Sequence, residues 1–301
     1  MSKTLYSTVI YPCDNFDIFI KDYLVSVFNQ TRRDFDLLLL LDNVEIEKVE
    51  KYLDEYNKVN KKIIIRNFKE DYTPIELRKK QIDLAYEMKF DTLILSDFDE
   101  NVALNRVEEV IKNIDEYAFA FNDFYIVDQN LKKLSKKSFF KSRKVPKEVT
   151  SYKDILKFNF IGLGSIALNL KEFNYIDMEF PKNIKALDWY IATRVLLSGS
   201  KGISLHNTYA NYRQHESSFI GFDFKLNKEK LDQGLAIKLV HYNSLIDYNS
   251  IFKDLYDEMI ELKEYFQDNG IDEYIELVNT KFDTSEFCWW ENIKTKKELG
   301  I

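Results

Sequence analysis

Phe35-Asp36-Leu37-Leu38-Leu39-Leu40-Leu41-Asp42 is the stretch that decides the fold. An unbroken apolar run of strand length, stopped by a carboxylate, suits a parallel strand covered on both faces, whereas a strand with one wet face would alternate. Working outward, the same strand-and-helix unit repeats on either side. Upstream, Leu5 to Tyr11 is β-rich and ends at Pro12, after which Phe16, Phe19, Ile20, Tyr23, Leu24, Val27 and Phe28 recur at helical spacing. Downstream, Val44 to Tyr56 has a helical pattern and Ile63-Ile64-Ile65 forms a third strand. Thr73-Pro74-Ile75-Glu76 is a capping box with proline at the first helical position, so a helix starts there. Thr92 to Ser96 makes a fourth strand, ended by Asp97-Phe98-Asp99-Glu100, with a helix from Val102 to Ile114 beyond it. This alternation predicts an α/β protein with a doubly wound sheet and a ligand site past the carboxyl ends of its strands.

Beyond Tyr117 the pattern loosens to a strand from Ala118 to Val127 and a Lys-rich excursion from Lys132 to Lys147. From Leu226 the apolar positions Leu231, Leu235, Leu239, Leu245, Ile251, Leu255, Met259 and Leu262 describe helices. The expected division is therefore a sheet domain over residues 1–222 and a C-terminal helical subdomain over residues 223–301. At 301 residues with 45% hydrophobic content, both parts can bury cores. Fifty acidic against 43 basic residues give a net charge of -7, which lacks the basic excess of a nucleic-acid binder. Two cysteines, Cys13 and Cys288, make no disulfide framework and suit a reducing cytosol. The N-terminus offers no signal-peptide core and no stretch has bilayer-spanning length, so a cytoplasmic location is expected.

Asp97 and Asp99 are the sharpest candidates for chemistry. Two carboxylates at the end of a buried strand suit Mg²⁺ or Mn²⁺ held against a diphosphate, since hard cations bind through one or two carboxylates plus phosphate oxygens. Asp42, at the end of the second strand, either accepts hydrogen bonds from a nucleoside or caps the helix that follows. Arg78, one turn inside its helix, either reaches a donor phosphate or is a solvated helix residue, as Lys79 and Lys80 are expected to be. Asp188, at the start of the helical pattern Asp188-Trp189-Tyr190-Ile191, is a general base or a helix-start carboxylate. His215, in Tyr212-Arg213-Gln214-His215, is a candidate for metal or phosphate, and Arg213 for the diphosphate. His206 and His241 are expected at the surface or partly packed. Cys288-Trp289-Trp290, followed by Lys294, Lys296 and Lys297, is open to two readings: peripheral contact with an anionic membrane, or packing and homo-oligomer contacts.

Together these residues resemble glycosyltransferase family 2, a bacterial family with the GT-A fold, over about residues 4 to 221. Thr8-Val9-Ile10-Tyr11-Pro12 and Ser26-Val27-Phe28-Asn29-Gln30-Thr31 are similar to the family's opening strand and helix end. Asp97-Phe98-Asp99 looks like its metal-binding DxD, and Asn122-Asp123-Phe124 with Val127-Asp128 like the strand after it. Asn159-Phe160-Ile161-Gly162 and Ser165 to Asn169 look like the acceptor-side segment, Leu187-Asp188-Trp189 like the base motif, and Tyr212 to His215 like the closing motif. The chain departs from the pattern in Asn43-Val44-Glu45 after Asp42, in Leu187 where a glutamate is usual, and in lacking the Q-x-x-R-W motif of processive synthases.

The resemblance implies a metal-dependent, inverting transfer of a single sugar from a UDP-, dTDP- or GDP-linked donor to a glycan or lipid-linked acceptor, in surface polysaccharide or glycoconjugate synthesis. Pro12 and Asp42 would line the nucleoside pocket, Arg78 the donor phosphates, Asp97 and Asp99 the nucleotide and metal, and Asp188 would be the base. His215 would hold the diphosphate or metal. Two other functions fit the same residues: a sugar nucleotidyltransferase, which lacks support from any Gly-rich, Arg-containing phosphate loop near the N-terminus, and a non-catalytic nucleotide- or sugar-binding module.

Overall fold

A computed structural model describes residues 3–57, 61–173, 179–214, 225–282 and 290–301. Its elements run β1 (Thr4–Ile10), α1 (Phe16–Phe28), β2 (Phe35–Asp42), α2 (Ile46–Tyr56), β3 (Ile63–Phe68), α3 (Pro74–Glu87), β4 (Thr92–Asp97), β5 (Asn101–Val102), α4 (Arg106–Asn113) and β6 (Phe119–Val127). They continue with α5 (Phe139–Arg143), β7 (Glu148–Val149), β8 (Ile166–Asn169), α6 (Leu187–Leu197), β9 (Gly202–Arg213), α7 (Lys228–Asn243), α8 (Ile251–Asn269), α9 (Ile271–Lys281) and α10 (Lys296–Leu299).

Two compact units emerge, Met1–Ile155 with Asn159–Glu179 and Ile191–His215, and Leu156–Phe158 with Phe180–Tyr190 and Glu216–Ile301. The first unit holds a mixed sheet with strand order β3-β2-β1-β4-β8-β6-β9-β5, with β7 also on β9. The five leucines of β2 are fully buried between parallel neighbours β1 and β3, as the uninterrupted apolar run requires. Chain order reverses at β1, which pairs in parallel with β2 on one side and β4 on the other. This places the topological switch point between the carboxyl ends of β1 and β4.

Local signals held where they were strong. Thr73 caps α3 by accepting from the Glu76 backbone N–H, and the Glu76 side chain accepts from Thr73 N at 2.8 Å. Two expectations differ from the structure. The helix expected from Val102 begins only at Arg106, because Asn101 and Val102 pair with Asn211 and Ala210 of β9. The Lys-rich excursion contains the short helix α5, held down by Phe139 stacked on Phe124 at 4.3 Å and by Phe140 against Phe121 at 5.5 Å. Residues 202–213 form a twelve-residue strand parallel to β6.

Within the second unit, His241 is completely buried, contrary to the surface or partly packed position expected, and lies face to face on Trp189 at 3.6 Å. Trp290 stacks on the same Trp189 at 5.3 Å, so of the two C-terminal tryptophans this one is a core residue, while Cys288 and Trp289 lie outside the described residues. Lys238, one turn before His241 on α7, is also buried and donates to the Ile293 carbonyl at 3.0 Å. No helix among the described residues is long and apolar enough to cross a membrane.

Candidate functional site

The switch point is lined by the turn that ends β4. Phe98 anchors it: the ring is fully buried, edge-on to Tyr11 at 4.6 Å and packed against Phe16 and Phe19. With the aromatic side chain driven inward, Asp97 and Asp99 flank it at the carboxyl edge of the sheet, and both are partly exposed. Pro12 follows the end of β1 beside this turn and is exposed.

Both arginines expected at donor phosphates are bonded to the turn itself. Arg78 is buried and donates to the Asp97 carboxylate, to the Ser96 carbonyl at 3.2 Å and to Gln81 Oε1 at 2.9 Å. Gln81 in turn donates to Ser7 Oγ at 2.7 Å, so the grip on Asp97 is fixed to β1. Arg213, at the end of β9, donates through Nε to the Asp99 carbonyl at 2.7 Å, and also to the Gln129 carbonyl and to Asp22 Oδ2 at 2.8 Å. Its guanidinium lies 4.6 Å from the centre of the Phe19 ring. One guanidinium thus holds a carboxylate of the turn and the other holds its backbone.

Three further residues of the site carried no sequence signal beyond their charge or smallness. Glu100 is buried directly after the turn, where burial, with the charges of Asp97 and Asp99 added, pushes its carboxyl well above the ordinary range. Arg106, fully buried at the start of α4, donates to the Leu95 carbonyl at 2.7 Å, the Gly164 carbonyl at 2.9 Å and Tyr6 Oη at 2.9 Å. Gly164 comes so close to Asp97 that a Cβ would sit 3.1 Å from Asp97 Cγ and 3.3 Å from Glu100 Oε2. For Asp97 itself burial raises the carboxyl pKa, opposed by Arg78 and reinforced by Asp99.

Asp42 ends β2 on the same carboxyl edge and accepts from Asn43 Nδ2 at 3.0 Å. Glu45, not Asp42, occupies the N-cap of α2, so the capping role is not the one Asp42 plays. Asn43 adopts a φ of 52°, a left-handed turn that Asn tolerates nearly as Gly does, which accounts for Asn at this position. Burial raises the Asp42 carboxyl. Lys79 pairs with Asp83 at 2.8 Å and Lys80 sits 4.3 Å over Tyr72. Asp188 belongs to the second unit, on the first turn of α6, with Oδ1 accepting from Trp189 N at 2.7 Å. His215 lies outside the described residues.

Among the described residues no group of three or more His, Cys, Asp or Glu side chains is disposed to hold a metal. Two carboxylates flanking Phe98 at a switch point, one of them paired with Arg78, fit a cation that takes its remaining ligands from phosphate oxygens and water.

No protein-family model matches the chain. An uncharacterised glycosyltransferase of Methanocaldococcus jannaschii is 26% identical over 133 residues, and the match spans 43% of this chain and 45% of that relative. Among solved structures, Staphylococcus aureus TarS 1-349 in complex with UDP-GlcNAc superposes with a TM-score of 0.54 at 13% identity, covering 93% of this chain and 79% of that one. The mannosyltransferase PcManGT from Pyrobaculum calidifontis, in complex with GDP-Man and Mn²⁺, gives 0.52 at 9% identity, covering 92% and 79%. GalNAc-T7 with UDP, GalNAc and Mn²⁺ gives 0.53 at 13% identity, covering 88% and 57%. The fold is the mixed α/β architecture that the strand pattern predicts, and it is GT-A-like, as the family resemblance implies.

Proposed function

We propose that this chain is a glycosyltransferase that moves one sugar from a nucleotide-sugar donor to an acceptor hydroxyl with inversion, using Mn²⁺ or Mg²⁺. The observation that carries the reading is the Asp97-Phe98-Asp99 turn, set at the sheet's switch point and held by Arg78 and Arg213. The partial match to a glycosyltransferase of M. jannaschii supports it, as do nucleotide sugars and Mn²⁺ bound to proteins of the same fold. The role in surface polysaccharide or glycoconjugate synthesis rests on the family 2 resemblance alone.

In this proposal Pro12 and Asp42 line the nucleoside pocket, and Asp97 and Asp99 face the nucleotide and the metal. Bound there, a divalent cation would offset charge developing on the diphosphate leaving group. Arg78 and Arg213 hold the turn rigid, so that little reorganisation is needed as the leaving group departs. On the family 2 resemblance, Asp188 is assigned to take the proton from the acceptor hydroxyl, whose oxygen bonds to the anomeric carbon as the bond to the donor phosphate oxygen breaks. His215 is assigned beside the diphosphate or metal on the resemblance.

Titration calorimetry with UDP-, GDP- and dTDP-sugars, with and without Mn²⁺, tests donor binding, and Asp99→Ala should remove its metal-dependent part. Asp188→Asn should leave donor affinity intact and lower transfer by about 10²-fold or more. Wild-type transfer by that variant would refute the base assignment. Pyrophosphate released from an NTP and a sugar phosphate would favour a nucleotidyltransferase instead, and absence of any Mn²⁺-dependent donor hydrolysis a non-catalytic module.

A further inference from the structure

We propose that the segment from Lys132 to Lys147 is a docking surface for an anionic lipid bilayer. It carries eight basic residues and no acidic one in a chain whose net charge is -7. None of Lys132, Lys136, Lys137, Lys141 or Lys144 forms an ion pair among the described residues, and all five are exposed. Leu134 lies among them and is 59% exposed, among the large apolar side chains most open to solvent in the chain.

The segment is built to hold this arrangement. Asp128 Oδ1 accepts from the backbone N–H groups of Asn130 and Lys132, both at 2.9 Å, and Leu134 N donates to the Ile126 carbonyl at 2.8 Å, which fixes a hairpin after β6. Farther along, Phe139 and Phe140 are buried, and Phe140 N donates to Asp123 Oδ1 at 2.9 Å. An excursion pinned at two points, with these five lysines outside any ion pair among the described residues, carries a mutual repulsion that an external anion relieves. Soluble polyanions would satisfy the lysines but gain nothing from a protruding leucine. A bilayer satisfies both, since its anionic headgroups attract each nearby Lys and its interface accepts apolar side chains.

The hairpin is also joined to the proposed site, because Arg213 donates to the Gln129 carbonyl as well as to that of Asp99. If the sugar-transfer reading holds, docking would set the donor turn beside acceptors carried on lipid. The docking itself needs neither donor nor chemistry, so it is tested separately from that reading.

Cosedimentation with phosphatidylcholine vesicles, with and without phosphatidylglycerol, reads the effect directly. The wild-type chain should partition onto the anionic vesicles and be released by salt. Lys136→Glu/Lys137→Glu/Lys141→Glu should lower partitioning by at least about tenfold. Leu134→Ser should lower it severalfold while leaving retention on soluble polyphosphate unchanged. Folding of each exposed-site variant is checked by its thermal midpoint, and Asp99→Ala should bind vesicles as the wild type does. Equal binding to neutral vesicles, no response to the triple substitution, or binding to polyphosphate but not to vesicles would overturn the proposal.

Discussion

A methyl group on Gly164 would overlap Asp97 Oδ2 and crowd Glu100. Neither side gives way without losing a bond: Arg78 holds the Asp97 carboxylate, and Arg106 fixes the Gly164 carbonyl at 2.9 Å. Gly164→Ala should therefore displace the carboxylate and cost about 1–3 kcal/mol of stability, the range typical of overpacking at a closed site. It should also weaken metal-dependent nucleotide binding at least about tenfold, a loss of about 1.4 kcal/mol. Calorimetry with a nucleotide sugar and Mn²⁺ reads the second effect, and unchanged affinity would show that the Asp97 carboxylate does not contribute to donor binding. Sequence patterns reach Asp97 because paired acids at a strand end are visible locally. Gly164 and Arg106 escape them because their importance is a distance to residues at least 58 and 11 positions away, set by the sheet.

Among elements, α1 and α4 are fastened by one side chain. Gln30 Nε2 donates to the carbonyls of Ser26 at 3.0 Å and Ala103 at 2.9 Å, and its Oε1 accepts from Val107 N at 3.0 Å. Thr31 N adds a bond to the Leu104 carbonyl at 2.7 Å. The Gln-Thr pair, noticed in the sequence only as a family likeness, thus has a mechanical role: it closes the orphan backbone groups at one helix end and the next helix start. Gln30→Leu keeps the volume but leaves buried groups unpaired, so it should destabilise by about 1–3 kcal/mol, and Gln30→Glu, which keeps the acceptor for Val107 but sets a carboxylate against the Ser26 and Ala103 carbonyls, should recover stability only as acid protonates it. Urea unfolding with unchanged slope would measure this, and equal stability of the Leu variant would remove the clamp from the account. The same contrast explains which elements were legible. The leucine run of β2 and the Thr73 capping box are local and were read directly. Val102 has a helical neighbourhood but belongs to β5, because its partner Ala210 lies in a strand 108 residues away, and no window around Val102 contains that information.

Across the described residues, buried titratable groups set the response to pH. Burial lowers the Lys238 ammonium to about 7 and depresses His241 well below its usual value, while neither His241 ring nitrogen has a hydrogen-bond partner among the described residues. Both bases are thus held neutral in the fold more readily than in the unfolded chain. For such a base the unfolded state binds more protons between the two pKa values, so stability rises with pH through that window. His241 should make the helical unit lose stability as pH falls below about 6.5, the ordinary histidine value. Lys238 should make it gain stability from about pH 7 up to about 10.4, where an unfolded lysine titrates. Asp97 and Glu100 act in the opposite sense in the first unit, since carboxyls raised by burial favour the folded state most when protonated. Acidification from neutral pH should therefore loosen α7 while sparing β4, and hydrogen exchange resolved along the chain would show amide protection falling in residues 228–243 but not in residues 92–97. Lys238→Met should flatten the alkaline limb and raise the thermal midpoint at pH 7, because an unbranched apolar chain fills the same space without an ammonium to desolvate. His241→Phe should flatten the acid limb and keep the stack on Trp189. An α7 whose protection did not change between pH 5 and pH 10, in the wild type or in either variant, would mean that these two bases are not held neutral in the folded chain.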